Sequence, residues 1–375
     1  MSPIRNIDYE NLKGLNAPFR AAYEASFGQL LDSGWFILGK QTEAFEAAFA
    51  AYLGVPYFLG VASGLDALEM PLKVMNFPPN SEVIVPSNTY IATINAIINA
   101  GLKPVFVEPD LASYNIDPKR IAEKINSATV AIMLVHLYGK ACAMDQIMPL
   151  VEKHRLLLIE DCAQSHGAKF NDQMTGSFGI GAFSFYPTKN LGALGDAGGI
   201  AIQDEATYLK LKAWRNYGSR VKYQNDFIGA NSRLDEIQSG FLNIKLKHLD
   251  EINAHKNRLA DLYLELLPET VVKPVRLPNT GDVFHIFPIR HKRRDELRAY
   301  LAENGVKTEV HYPIAPVDQQ SIRNYFTQKG WELPEADSNL AREIASTEMS
   351  LPISTIHNEA DIRQICSIIN SFKFI

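Results

Sequence analysis

Short apolar runs that do not alternate, each followed by a helical stretch, limit this chain more than any other feature. They fall at residues 57–62 (YFLGVA), 82–85 (EVIV), 104–107 (PVFV), 130–135 (VAIMLV) and 156–159 (LLLI). Helical stretches at 92–100, 117–126 and 143–153 lie between them. A strand wetted on one face alternates apolar and polar residues, whereas a continuous apolar run is covered on both faces. The pattern predicts an α/β fold built on a mostly parallel sheet with helices on both sides.

The remaining segments extend this frame. Residues 1–40 read as an arm with its first helix, and the helix after Thr42 repeats Phe45, Ala48, Phe49, Tyr52 and Leu53 at helical spacing. Ser63 opens a helix directly after a strand, and Asp66 three residues later completes a capping-box pattern. Residues 176–200 are glycine-rich and not helical, yet their aromatic and leucine residues argue against a flexible linker. A long helix is expected over roughly 233–265. Beyond it come a strand at 283–289, a helix at 292–303, a strand near 306–310 and a final helix at about 358–372. At 375 residues and 46% hydrophobic, the chain can bury one large core and one smaller one.

Composition excludes several classes. Thirty-seven basic against 42 acidic residues give −5, which asks for no nucleic-acid partner. Cys142, Cys162 and Cys366 are odd in number and widely spaced, so they form neither a disulfide framework nor a metal site, and buried thiols are expected. The segment MSPIRNIDYENLKG has no apolar signal region, and no run is long enough to cross a bilayer. A soluble cytoplasmic protein is expected.

Four features bear on chemistry. Ser63-Gly64-Leu65 places free amides and a helix N-terminus at a strand-to-helix turn, which suits a phosphate but serves equally as a structural cap. Glu160-Asp161 follows the 156–159 strand, where open α/β sheets bind ligands, and one carboxylate there could pair with a protonated pyridine nitrogen or simply cap a helix. Lys189 lies in an apolar, glycine-rich stretch, and desolvation would lower its basicity as imine formation requires, with Ser184 offering a hydroxyl to a phosphate. Gly229-Ala230-Asn231-Ser232-Arg233 could serve an anion or cap the next helix.

The order and spacing of longer stretches then supply a resemblance. SGWFILG (33–39), VASGLDAL (61–68), VPSNTYIAT (85–93), PVFVEPD (104–110), HLYGKACAMD (136–145), IEDCAQSHGA (159–168), GSFGIGAFSFYPTKNLGALGDAGG (176–199), RNYGS (215–219) and GANSRLDEIQSG (229–240) are similar to the DegT/DnrJ/EryC1/StrS sugar aminotransferases. That resemblance spans essentially the whole chain. It implies an aspartate-aminotransferase-like, fold-type I enzyme that uses pyridoxal 5'-phosphate. The expected large domain, residues 1–245, has a mostly parallel seven-stranded sheet, and residues 246–375 form a smaller C-terminal α/β domain.

The family's roles fall on particular positions. Lys189 would carry the cofactor as an imine and act as the general acid/base, with pyridoxamine phosphate as the intermediate form. Asp161 would pair with the pyridine nitrogen, Gln164 would lie near the ring hydroxyl or behind the ring, and Tyr90 would stack on its face. Ser63, Gly64, Leu65 and Ser184 would hold the phosphate. Asn231 would reach the phosphate of the neighbouring subunit, which implies a homodimer with shared active sites. Arg220, Lys222 and Tyr223, with Tyr186, Tyr217 and His311, are the candidate contacts for a sugar nucleotide. No metal and no membrane partner is expected. His166 is assigned no catalytic role.

Within the family the longer stretches most resemble enzymes that make 3-amino-3,6-dideoxyhexoses on dTDP. The reaction implied is transamination of a dTDP-3-keto-6-deoxyhexose with L-glutamate, leaving 2-oxoglutarate. A C4 aminotransferase of a UDP-, GDP- or dTDP-linked 4-keto sugar and a non-catalytic, cofactor-binding regulator are the alternatives. Thr188 departs from the glycine that relatives often have before the lysine, and Gly199-Ile200 is a minor variation.

Overall fold

The computed structural model describes residues 6–221 and 223–373. Its centre is a seven-stranded sheet. The strands are β1 (Tyr57–Val61), β2 (Glu82–Pro86), β3 (Lys103–Val107), β4 (Thr129–Val135), β5 (Leu157–Asp161), β6 (Ile180–Ser184) and β7 (Gly198–Ile202). They lie in the order β1-β7-β6-β5-β4-β2-β3. Every neighbouring pair is parallel except the two made by β7, which runs antiparallel to β1 and to β6. The mostly parallel, fully covered sheet is therefore present, and each of the five apolar runs is one of its strands.

Helices cover both faces. Phe45 and Phe49 of α1 (Lys40–Leu53) pack on one face against Phe58, Phe183 and Ala201. Met70 of α2 (Gly64–Met75) and Ile94 of α3 (Ile91–Asn99) pack on the other, with Leu59, Val83, Met133 and Ile159. Full burial of one such side chain is worth about 1.5–3 kcal/mol, so these two layers dominate the stabilisation of the sheet.

The glycine-rich stretch contains β6 and β7, which sequence periodicity did not separate from its loops. Glycine at 198 is required by a close approach. A Cβ there would lie 2.2 Å from the Ser63 carbonyl oxygen and 2.8 Å from the Gly64 nitrogen. The start of β7 thus passes directly under the turn that begins α2.

Three expectations are corrected. The 233–265 helix is two, α4 (Glu236–Leu246) and α5 (Leu249–Leu266), broken at Lys247 and His248. Leu242 of α4 belongs to the core beside α1, while Leu259 and Tyr263 of α5 belong to a second core, so the bend lets one continuous stretch serve both. The 283–289 strand shortens to β8 (Phe287–Arg290), because Phe284 takes a left-handed backbone (φ 42°) that breaks extension. Residues 306–310 form no strand, only single bridges from Val306 to Ile7 and from Glu309 to Ser350. Ser350 lies on β9 (Glu348–Leu351), which pairs antiparallel with β8. The second core gathers α5, β8, β9 and the helices Arg294–Glu303 and Glu359–Ser371, and Ile7 inserts from the N-terminal arm. No helix among the described residues is long and apolar enough to cross a membrane.

Candidate active site

Strands β1, β2, β5 and β6 all end at one edge of the sheet, and a cleft of about 600 Å³ opens there. Ser63, Gly64 and Leu65 line it from the start of α2, and Ser184 lines it from the end of β6. Asp161 and Gln164 line it from the end of β5, Tyr90 from the residue before α3, and Tyr186 and Lys189 from the loop between β6 and β7. His311 closes the far side. Ten residues chosen from the sequence thus meet in one place.

At α2 the Ser63 hydroxyl accepts from the Asp66 amide (3.2 Å). The expected return bond from Asp66 to Ser63 is not made. The Asp66 carboxylate accepts from the Ser232 hydroxyl instead (2.8 Å), because the chain at 229–233 packs against this turn. The amides of Gly64 and Leu65 lie in the first turn, where a helix leaves its N–H groups without intrahelical acceptors. A Cβ on Gly64 would meet the Ser184 Cβ at 2.5 Å, so glycine brings the α2 amides and the Ser184 hydroxyl side by side. That cradle fits the phosphate of pyridoxal phosphate.

Asp161 is buried at the floor. Its Oδ1 accepts from the Ala163 amide (3.1 Å) and its Oδ2 from the Thr93 hydroxyl (2.9 Å), which is itself 2.8 Å from the Thr89 hydroxyl. Burial raises the carboxyl above its ordinary value, with these hydrogen bonds and the Lys189 charge opposing. A buried carboxylate that gains from a cationic partner suits a protonated ring nitrogen. Burial pulls the Lys189 amine down to about 8, opposed by the charge of Asp161. The donor set therefore fits the cofactor at all three of its anchoring points.

Gln164 ties the end of β5 to two tyrosines. Its Oε1 accepts from the Tyr138 amide (2.6 Å) and its Nε2 donates to the Tyr312 hydroxyl (3.0 Å). The Tyr312 ring lies 5.1 Å from that of Tyr90. His311 is held by Glu348, which accepts from its backbone N–H, and by the Ser350 hydroxyl at 2.8 Å from Nδ1. Thr93 and His285 were not selected from sequence. A buried threonine on a helix and a histidine inside an apolar run look structural until the floor of the cleft is assembled. His166 is buried and stacked on Phe183 and Phe185, at 5.8 and 5.5 Å between ring centres, and does not line the cleft.

Four candidates lie away from the cleft. Asn231 is exposed and bridges to Asn216. Tyr217 is half-exposed beneath Arg233, Arg220 pairs with Asp226 (3.3 Å), and Tyr223 is 87% exposed. Lys222 lies outside the described residues.

His136, Glu160 and Cys162 come within metal-ligand distance of one another in the interior. The Glu160 oxygens, however, accept from the Gly176, Phe178 and Gly179 amides and from His136 Nε2, and His136 Nδ1 accepts from the Cys142 amide. This cluster anchors the 176–179 turn ahead of β6.

The chain is 42% identical, over 98% of its length and 100% of the relative's, to the dTDP-3-amino-3,6-dideoxy-alpha-D-galactopyranose transaminase of Aneurinibacillus thermoaerophilus. It is 41% identical, over 92% of its length and 91% of the relative's, to the dTDP-3-amino-3,4,6-trideoxy-alpha-D-glucose transaminase of Streptomyces venezuelae. It also superposes on the crystal structure of S. venezuelae DesV in complex with a ketimine intermediate, with a TM-score of 0.93, 38% identity and 97% of both chains covered. The model of one family matches residues 20–370. With a part-buried lysine, a buried aspartate and an anion cradle converging on one cleft, this chain belongs to the DegT/DnrJ/EryC1/StrS aminotransferase family.

Proposed function

We propose that this enzyme transfers an amino group from L-glutamate to C3 of a dTDP-linked 3-keto-6-deoxyhexose, using pyridoxal 5'-phosphate held by Lys189. The observation that carries the reading is the convergence of Lys189, Asp161 and the Ser63–Ser184 cradle in one cleft. When bound, the cofactor supplies an electron sink for the carbanion formed at the amino-bearing carbon. The protein's part is positional and electrostatic. The amides of Gly64 and Leu65 and the hydroxyls of Ser63 and Ser184 would bind the phosphate. Asp161, fixed by Thr93, would hold a proton on the ring nitrogen. Tyr90 would cover one ring face, and Gln164, fixed by Tyr138 and Tyr312, would border the ring. Lys189, partly neutral near pH 8, would be the base that takes the proton from the donor's α-carbon and the acid that gives it back in a 1,3-proton shift. The C3 position and the dTDP carrier are supported by the two transaminases above, whose names place the amine at C3.

A homodimer with shared sites accompanies this reading. Phe27, Leu31, Trp35, Phe36 and Ile37 are exposed together on the helix Arg20–Ser33 and the turn after it. Large apolar side chains crowded on a surface favour a protein interface. Asn231, Tyr217, Arg220 and Tyr223, exposed on one stretch, would then serve the neighbouring subunit's cleft or its sugar nucleotide.

The test is half-reaction spectroscopy at the cofactor band. Loss of the band with glutamate and its return with a dTDP-3-keto-6-deoxyhexose, but not with the 4-keto isomer, is the expected result. Return with the 4-keto sugar alone would refute the C3 assignment. Bound cofactor that glutamate leaves unchanged would refute the glutamate-dependent reading.

A further inference from the structure

His285 belongs to none of the stretches that carry the family likeness, yet its Nε2 lies 3.4 Å from the Lys189 amine. The surrounding hydrogen bonds fix which ring nitrogen carries the proton. Asn190 Nδ2 faces the Val283 carbonyl (3.1 Å) and Asn253 Oδ1 (2.9 Å). A carbonyl only accepts, so the amide of Asn190 must turn its NH2 that way and its oxygen the other way. That oxygen accepts from Lys256 Nζ (2.9 Å) and lies 3.4 Å from His285 Nδ1. Lys256 is held in turn by the His285 carbonyl (3.2 Å). Since Asn190 Oδ1 can only accept, Nδ1 of His285 carries the hydrogen and the lone pair sits on Nε2, facing Lys189. Burial, then the charges of Lys189 and Lys256, then His311 and His166, hold His285 well below its ordinary value, so the ring stays neutral.

We propose that His285 is a positioning residue, which accepts a hydrogen bond from the Lys189 amine and so fixes the direction of that amine in the cleft. The inference rests on the reading of Lys189 as the proton carrier. It adds the group that selects one among the several rotamers of a four-carbon side chain. No covalent bond changes at His285. It takes part of one N–H and leaves the rest of the amine to face the reacting carbon. Asn190 and Lys256 act one step behind it by locking the tautomer.

The experiment uses the full-length protein without added cofactor, so that it does not depend on the functional reading. In histidine-15N NMR of the wild type at pH 7, with His285 assigned by the signal lost in His285→Gln, Nε2 is expected to be unprotonated and Nδ1 protonated. A proton on Nε2 would overturn the proposal. In the second measurement, trace acetylation of Lys189 is followed against pH by peptide mass spectrometry. The amine is also faced by Asp161, Lys256, His166 and His311, which stay in place in every variant. His285→Phe removes the acceptor that favours the ammonium form, and the Lys189 titration should fall by about one pH unit. His285→Gln, whose amide oxygen can accept, should restore it. An unchanged Lys189 titration in folded His285→Phe would also overturn the proposal. In the holoenzyme the same variant should slow the glutamate half-reaction by about 10- to 100-fold with little change in half-saturation. Both cofactor-free results, together with no trapped cofactor on Lys189, would sustain the hydrogen bond and refute the pyridoxal-phosphate reading.

Discussion

Replacing Glu160 by glutamine tests how the interior holds the site in place. The two carboxylate oxygens are both in use. Oε1 accepts from Phe178 N (2.9 Å) and Gly179 N (2.8 Å), while Oε2 accepts from Gly176 N (2.8 Å) and faces His136 Nε2 (3.0 Å). An amide must put its NH2 at one of these places. At Oε1 it orphans the Phe178 and Gly179 amides. At Oε2 it orphans the Gly176 amide and forces a lone pair onto His136 Nε2. The histidine proton then moves to Nδ1, against the Cys142 amide that donates there (3.0 Å), and a second donor is lost. Either way two buried donors lose their acceptor, at about 1–3 kcal/mol each, so the substitution costs roughly 2–6 kcal/mol. With the unfolding entropy of a 375-residue chain this lowers the unfolding temperature by about 3–8 °C. The assay is scanning calorimetry of wild type and E160Q at one protein concentration and pH 7.5. Arg20→Ala, which breaks the exposed Arg20–Glu24 pair, is the control and should move the transition by about 1 °C or less. An E160Q transition within about 1 °C of wild type would refute the accounting of donors and acceptors.

Other expectations concern the cleft and the second core. Asp161→Asn keeps the Thr93 contact but removes the charge proposed to face the ring nitrogen, and the glutamate half-reaction should slow by about 100- to 1000-fold, read as decay of the cofactor band. Gly198→Ala drives a Cβ into the Ser63 carbonyl and should shift the start of α2, destabilising the fold by about 1–3 kcal/mol and weakening cofactor retention on dialysis. Burial pushes the Glu348 carboxyl up to about 8, well above its ordinary value, with the Ser350 hydroxyl and the His311 amide opposing. The folded state then holds this proton more tightly than the unfolded one, so its contribution to stability is full at low pH and lost as pH rises from about 4.5 to about 8. In Glu348→Gln that part of the decline should vanish, and melting temperatures taken across this range would show whether the wild-type slope is steeper.

The legibility of the chain followed the range of the forces involved. The five apolar strands were readable because burial on both faces imposes composition locally. The helix break at Lys247 was not, since α4 and α5 each remain amphipathic and only the position of two separate cores demands a bend. The Ser63 cap was visible, but the partner of Asp66 was not, because Ser232 lies 166 residues away. Lys189, Asp161 and Ser184 were found through motifs. His285 and Thr93 meet Lys189 and Asp161 only across the fold, 96 and 68 residues away in sequence. The partners of Glu160 show the same limit, since three glycine-rich backbone amides and a histidine carry no pattern that points at one acid.

The single antiparallel strand has a consequence for how such an enzyme can be altered. From β1 to β5 the chain leaves each strand and returns over a helix, and from β5 to β6 it returns through a short hairpin, Lys169–Phe170 with Gln173–Met174. At β6 it turns straight back as β7, and Ser184 pairs with Gly198. Phe185 donates to the Ala197 carbonyl and accepts from the Ala193 amide (both 2.8 Å), so the loop carrying Lys189 is sealed at its base by its own hydrogen bonds. Because its two ends are already neighbours, a change in length or composition between them adds little closure entropy. Residues 186–196 therefore form a loop closed at its base, exchangeable so long as Asn190, Leu191 and Ala193, which tie it to the rest of the chain, are kept. Transplanting this segment from a relative should alter what surrounds the lysine while the strands beneath keep their register.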